Sequence, residues 1–305
     1  MTRRAWLLFA AVSLLWGMPY LLIKVAVEGG VPPGALAWSR IVLGAAFLSL
    51  VAWRIGSLGQ LRGRLRWVAL FALTEFVGPF PLIAAAEQVV DSSIAAILIA
   101  ASPLFVALLA LRFDRRERVD RSQLVGLLIG IIGVAALVGV EVSGGPAELL
   151  GAVALLLAAL GYASGPMVIR LRLADLEPTA TMAGALGVAS LVLLPVALLD
   201  APHRAPTPEA IAAIVALGLV MNGAVLVMYG ALILAAGAGR ALLITYINPL
   251  VATALGIVVL GEQPGPGTIV GLALILGGSW LASRGTSQGH PDPAGAAPTR
   301  ASQRS

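Results

Sequence analysis

The chain has 305 residues, of which 59% are hydrophobic and 11% are Asp, Glu, Lys or Arg, and its net charge is +5. A soluble domain of this size has about a quarter of its residues charged, so the composition excludes a water-soluble globular protein. The absence of cysteine excludes disulfides, thiolate catalysis and cysteine metal sites, and neither histidine, His203 or His290, lies in an apolar segment.

The apolar residues form blocks about twenty residues long, which is the length needed to cross a bilayer. The first block, from Ala5 to about Val27, is too long for the core of a signal peptide, and no small-x-small site closes it. In chain order the pattern predicts ten membrane-spanning helices, at 5–27, 34–53, 66–86, 93–112, 122–140, 148–169, 179–199, 210–235, 240–260 and 267–284. Residues 285–305, rich in Gly, Ser, Pro and Ala, are predicted to form a disordered cytoplasmic tail.

Positive charge is distributed unequally between the two sets of loops. Seventeen of the twenty Lys and Arg residues lie in the N-terminus and in every second loop after it, or in the tail, whereas the opposite loops hold only Arg204. Positively charged loops remain in the cytoplasm. Both termini are therefore predicted to be cytoplasmic, which agrees with an even number of spans.

The chain resembles itself at a shift of 146 residues, which becomes 145 after the fourth helix of each half. The repeat predicts two halves of five helices, residues 1–141 and 142–284. Because five is odd, the second half enters the membrane from the opposite side, and the charges of corresponding loops are exchanged accordingly. Inverted repeats are a common plan of secondary transporters. The matching positions include Pro32 with Pro178, Pro103 with Pro249, Gly126 with Gly271 and Gly133 with Gly278.

Several short motifs resemble the EamA-type transporters of the drug/metabolite transporter superfamily. In the first half they are Leu15-Trp16-Gly17, Pro32, Arg40 and the stretch from Ala95 to Glu117 around Ser102-Pro103; in the second they are Asn248-Pro249, Leu260-Gly261-Glu262, Gly271 and Gly278. The stretch from Phe113 to Glu117 departs from the Leu-Gly-Glu that is typical of the family. The resemblance covers about residues 5–284 and implies a ten-helix fold that exports or takes up amino acids, drugs or other metabolites.

Three ionisable residues fall inside predicted spans, where such groups are costly and are functional candidates. Glu75 is predicted either to act in transport or proton coupling, or to form a structural ion pair with Arg40 or Lys24. Arg40 is predicted either to bind a substrate carboxylate or to hold the second helix to its neighbours. Lys24 either faces the substrate or extends to the outer headgroups.

Further candidates are polar, aromatic or helix-breaking residues at comparable depth. Trp16, Tyr20 and Lys24 share one face of the first helix, which suits either an amino-acid-like ligand or a packing seam. Prolines at membrane depth indicate kinks or hinges. An interhelical hydrogen bond explains Asn222 as well as substrate contact does. The complete set of predicted binding or coupling residues is Trp16, Tyr20, Lys24, Trp38, Arg40, Glu75, Pro79, Ser102, Tyr162, Asn222, Tyr229, Tyr246 and Asn248.

The glycine-rich fifth and tenth helices are predicted to be packing elements and a candidate dimer surface, through Gly126, Gly130, Gly133, Gly271, Gly277 and Gly278. A central cavity is expected to be lined mainly by helices 1, 2, 3, 4, 6, 8 and 9. The ionisable residues at mid-depth lie in the first half, so the predicted binding site is asymmetric, with its charge on the N-terminal half.

The prediction is an all-α integral membrane protein of the inner membrane, a monomer or homodimer, that exports amino acids or related metabolites. Its partners are the small-molecule substrate, the lipid bilayer and, if transport is coupled, protons; no nucleic acid, metal or cofactor is expected. No Walker A loop is present, so ATP does not drive transport directly. The rival classes are a membrane-embedded enzyme, for which no nucleophile–base pair is found, and a structural or sensory protein without transport activity.

Overall fold

The computed structural model describes residues 1–113, 121–141, 145–241 and 243–284. The predicted tail at 285–305 and residues 114–117 of the atypical acidic turn lie outside these ranges. Within them, every regular element is a helix. All ten apolar blocks predicted from the sequence are helical, with ends that differ by a few residues from the predicted ones.

Eight helices are long and apolar enough to span a membrane, and two further apolar helices are shorter. We number them in chain order as α1 (Arg3–Glu28), α2 (Pro33–Arg54), α3 (Leu65–Ala86), α4 (Ser92–Leu109), α5 (Arg121–Glu141), α6 (Pro146–Leu173), α7 (Pro178–Leu199), α8 (Pro208–Ala236), α9 (Ile244–Leu260) and α10 (Pro266–Ala282). Five of them begin at a proline. A proline in the first turn has the dihedral angle that a helix requires, and its missing N–H would have no partner there.

Several helices are irregular at membrane depth. The first breaks at Met18, between Gly17 and Pro19. Short π-helical segments occur in α3 (Leu73–Val77) and in α8 (Ala216–Ala224). In α3 the N–H of Gly78 donates to the carbonyl oxygen of Leu73, five residues back, at 3.0 Å. The sequence indicated a break at Pro79 but did not predict that the preceding turn would be widened.

The tightest helix pair is formed by α5 and α10, which approach backbone to backbone through glycines. A side chain at Gly126 or Gly278 would collide with the main chain of the opposite helix, and one at Gly133 or Gly271 would collide with opposing atoms. These four glycines are thus covered by the chain's own helices, and the predicted dimer surface is wrong for them. Gly130 is also covered, by the side chain of Leu104 in α4, whereas a side chain at Gly277 would begin in open space.

The other contacts place helices from the two halves side by side. The second helix packs against α7, where the indole N–H of Trp38 donates to the carbonyl of Ser190 at 2.9 Å. Helix α3 packs against α6, α1 packs against α8, and α4 packs against α9. The core therefore lies between the halves.

At one end of the bundle, carboxylates join helix ends from the two halves. We call the end where α1 begins the proximal end and the end where α1 finishes the distal end. At the distal end the carboxylate of Glu262 accepts hydrogen bonds from the backbone N–H groups of Ser92 and Ser93, at 2.7 and 3.1 Å. Asp200 accepts from the N–H of Gly34 at 2.7 Å, and Glu141 accepts from the N–H of Gly267 at 2.7 Å. Helix N-termini favour such negative partners.

The proximal end is joined by different groups. The guanidinium of Arg64 forms an ion pair with Asp175 at 2.6 Å and donates to the carbonyl of Arg172 at 2.9 Å. The amide oxygen of Gln60 accepts from the N–H of Glu177, the residue before α7, at 2.8 Å. The Arg64–Asp175 pair is half exposed to solvent, so its net contribution to stability is small.

Candidate functional site

The most unusual buried group is the guanidinium of Arg40, in the first half of α2. The residue is only 5% exposed. Its guanidinium carbon lies 3.7 Å from the centre of the Phe80 ring of α3, a cation–π contact. Its Nε is buried and has no hydrogen-bond partner. A buried cationic donor without a partner is costly, so this atom is suited to receive a ligand acceptor.

Three titratable side chains from outside α2 interact electrostatically with Arg40. They are Tyr20 of α1, Tyr162 of α6 and Glu87, just after α3. We call Tyr20, Arg40, Glu87 and Tyr162 the polar cluster. Four helices thus bring together a cation, a carboxyl and two hydroxyls. The sequence predicted three of these four residues.

Glu87 is the residue that the sequence analysis missed, because it was assigned to a loop at the distal end. The structure buries it completely, and neither carboxyl oxygen has a hydrogen-bond partner. One signal could have found it. Glu87 follows Phe80 by seven residues, so both lie on the face of α3 that is directed towards Arg40.

The carboxyl of Glu75 lies deeper, in the π-helical segment of α3. It rests against Gly165 of α6, where any side chain would occupy its place. One turn earlier in α6, Gly161 faces the carbonyl of Thr74 and the ring of Pro79. The two glycines form a groove in α6 that accommodates the widened turn of α3. The predicted residue Pro79 therefore lies at the packing contact between α3 and α6.

Glu75 has no cationic partner in the part of the chain that the structure describes. Its Oε2 is buried without a hydrogen bond. Lys24 and Arg64 form ion pairs with other carboxylates, Glu28 and Asp175 respectively. The predicted structural ion pair of Glu75 with Arg40 or Lys24 is therefore wrong, and its electrostatic neighbour is Tyr162.

Lys24 is directed inward, so the predicted extension to the headgroups is also wrong. Its amine donates to the main-chain carbonyls of Glu87 and Val90, at 2.9 and 3.0 Å. It also lies 3.7 Å from the carboxylate of Glu28, one turn on. Lys24 thus satisfies free carbonyls at the end of α3 and holds that end against α1.

Three further predicted residues, Trp16, Asn222 and Tyr229, take part in contacts between α8 and the first half. The ring of Trp16 is 4.6 Å from the ring of Tyr229, centroid to centroid. The side-chain amide of Asn222 donates to the main-chain carbonyl of Arg40 at 3.3 Å. The interhelical hydrogen bond, one of the two explanations for Asn222, is therefore present.

The remaining predicted residues lie away from the polar cluster. Trp38 is bonded to α7, and the hydroxyl of Ser102 donates to the carbonyl of Ile99 within α4 at 2.6 Å. Tyr246 lines an apolar groove of about 670 Å³ at the proximal end, with Trp6 and Trp280. Asn248 has a buried side-chain oxygen without a partner. Among the described residues, no group of three His, Asp or Glu could hold a metal ion.

Comparison with known proteins gives a consistent result. The model of the EamA-like transporter family matches the chain twice, over residues 3–139 and 149–284. The uncharacterized inner membrane transporter YedA of Escherichia coli is 30% identical over 259 residues, which cover 83% of this chain and 81% of YedA. A probable terminal-alkyne amino-acid exporter of Streptantibioticus cattleyicolor is 30% identical over 295 residues, covering 94% and 95% of the two chains. One crystal structure superimposes with a TM-score of 0.65 at 22% identity, covering 92% of this chain and 97% of that one, and supports the fold.

Proposed function

The chain belongs to the EamA-like transporter family, and on that premise we propose that it is a secondary transporter for amino acids or related metabolites. It is a multi-pass inner membrane protein, as its apolar helices and its relatives agree. Export is the favoured direction, because a relative that matches nearly the whole chain is named as a probable terminal-alkyne amino-acid exporter. The N- and C-termini lie in the cytoplasm in this proposal.

The observation that carries the proposal is the free donor of Arg40 within the polar cluster. A guanidinium binds a carboxylate through two parallel hydrogen bonds, and the interaction is strong when water is excluded. Phe80 holds the planar group from one face. Tyr20 and Tyr162 add hydroxyl groups beside it. An α-carboxylate is therefore the part of the substrate that this site is proposed to recognise.

The proposed cycle is alternating access between two inverted five-helix repeats, residues 1–141 and 142–284. Two separate family matches support this division. Helix packing supports it as well, because helices at equivalent positions contact one another, as α2 with α7, α4 with α9 and α5 with α10. The contact of α1 with α8 likewise has its equivalent in the contact of α6 with α3. Rocking of one repeat against the other would expose the polar cluster to each side in turn.

Flux into liposomes containing the purified protein tests the proposal. A panel of radiolabelled amino acids should include at least one substrate, and the matching amine that lacks the carboxylate should compete poorly. Arg40→Gln should reduce the flux at least about tenfold, the effect of losing a hydrogen bond to a charged group. Arg40→Lys should restore little of it, because an ammonium cannot form the paired contact.

The control is Arg54→Gln, which removes an exposed arginine from the same helix and should leave the flux unchanged. Flux of the carboxylate-free amine as fast as that of the amino acid would contradict the role of Arg40. Absence of flux for the whole panel would contradict amino-acid transport.

A further inference from the structure

Glu87 is buried at the distal end, and no neighbouring group forms a hydrogen bond with its carboxyl. It is 0% exposed, and both carboxyl oxygens lack partners. An ionised carboxylate in such a position is strongly disfavoured. Lys24 is the nearest candidate for a counter-ion, but its amine is bonded to the main-chain carbonyls of Glu87 and Val90 rather than to this carboxyl.

Charged and titratable groups face Glu87 from each neighbouring element. They are Tyr20, Lys24 and Glu28 of α1, Arg40 of α2 and Glu262 in the turn before α10. Burial raises the pKa of Glu87 well above its usual range, and Glu262 and Glu28 act in the same direction. Lys24 and Arg40 lower the pKa, but by less than burial raises it. Burial without hydrogen-bond partners therefore favours the protonated carboxyl while the distal end is closed.

The closure around Glu87 is built from both halves of the chain. Lys24 holds α1 to the end of α3, and Glu262 holds the turn before α10 to the start of α4. Half-buried Asp91, beside Glu262, also has a raised pKa, caused first by burial and then by Glu262. Separation of these elements would admit water to Glu87, and hydration favours the ionised carboxylate.

We propose that Glu87 is a proton-binding site that controls the distal closure: the closed end holds the protonated carboxyl, and opening of that end releases the proton. The direction of the pH dependence follows. Because the pKa of Glu87 is higher in the closed state than in the open state, protonation of Glu87 stabilises closure. That stabilisation is complete below the usual pKa of a glutamate and is lost as the pH rises through the pKa of the closed state.

Reactivity of a single cysteine can report the opening, since the chain contains none. Ser93→Cys places a thiol at the start of α4, at a position that is 1% exposed in the closed structure. Gln88→Cys places a thiol at a nearby exposed position and corrects for the pH dependence of the thiol itself. Labelling of the purified full-length protein by a maleimide is measured between about pH 5 and pH 8, where the raised pKa predicts a change.

The corrected labelling rate of Ser93→Cys should rise with pH, by up to about tenfold per pH unit, because one proton is released on opening. Adding Glu87→Gln should keep labelling slow at every pH, since glutamine cannot ionise. If that variant does not fold, Glu87→Leu replaces it with the same expectation. Adding Glu209→Gln, which changes an exposed carboxylate at the start of α8, should leave the pH dependence intact.

A flat profile for Ser93→Cys alone would overturn the proposal, and so would an unchanged rise in the presence of Glu87→Gln. The measurement uses no substrate, so its outcome does not depend on the proposed transport of amino acids. A rising profile that Glu87→Gln abolishes, while Glu209→Gln preserves it, is the result that assigns the proton to Glu87.

Discussion

At the scale of single residues, the buried ionisable groups of the first half are the candidates for function. Arg40 keeps a free donor, and Glu75 and Glu87 keep free acceptors, on helices that are otherwise apolar. Groups of this kind cost stability, which makes them candidates for a role in transport. Glu75 is isolated from cations and seated against Gly165, an environment that suits a carboxyl which gains and loses a proton.

Glu75→Gln tests that role with little change in shape. We expect the variant to lose the stimulation of transport by a proton gradient, because an amide cannot carry a proton. Exchange of labelled for unlabelled substrate across the liposome membrane, which needs no net proton movement, should persist. Parallel assays of gradient-driven flux and of exchange check this. Wild-type flux with an unchanged pH dependence would show that Glu75 does not couple transport to protons.

The sequence predicted the site residues that stand alone within apolar blocks and missed the one at a block's end. Arg40, Glu75 and Lys24 are visible because charge inside a predicted span is rare. Glu87 was assigned to a distal loop, since a sequence cannot show that α1 and the turn before α10 cover it. The sequence also did not predict that Trp38 would donate a hydrogen bond to α7 or that Ser102 would donate one to the carbonyl of Ile99 in its own helix.

At the scale of helices, length and position follow from composition, whereas local irregularity does not. Apolar blocks bounded by Gly, Pro and charge predicted all ten helices. The π-helical segments of α3 and α8 lie at positions that are equivalent in the proposed repeat, and they contain Glu75 and Asn222 respectively. A widened turn changes which side chains face a neighbouring helix, and such turns occur frequently at functional sites. These widened turns depend on tertiary packing, which cannot be predicted from a local sequence pattern.

The contact of α5 with α10 gives a prediction at this scale. Gly278→Leu should destabilise the protein by about 3 kcal/mol or more, because the new side chain meets the backbone of α5 and neither helix can retreat. Gly277→Leu is the matched control, since it makes the same change one residue away, where the space is open. Thermal unfolding of the purified variants in detergent measures both effects. Equal unfolding temperatures for the two variants would contradict the close approach.

At the scale of the whole molecule, the charge difference between loops predicts the orientation in the membrane. A single cysteine at Gly59 would lie at the proximal end, and one at His203 would lie at the distal end; both positions are exposed. We expect a membrane-impermeant thiol reagent to label His203→Cys on intact cells. Gly59→Cys should be labelled only after the membrane is permeabilised. The reverse pattern would place the termini outside the cytoplasm and contradict the charge argument.

The pairing of α5 with α10 also bears on biosynthesis. The fifth helix leaves the ribosome before α6, α7, α8 and α9 are made, and its partner α10 follows all four of them. Until then the glycines of α5 have only lipid or another helix beside them. Since loops between distant partners close slowly, we expect the joining of these two helices to be the final step of assembly in the membrane. Truncated chains that lack α10 would then leave these glycines of α5 without their partner helix, and we expect membrane proteases to degrade such chains.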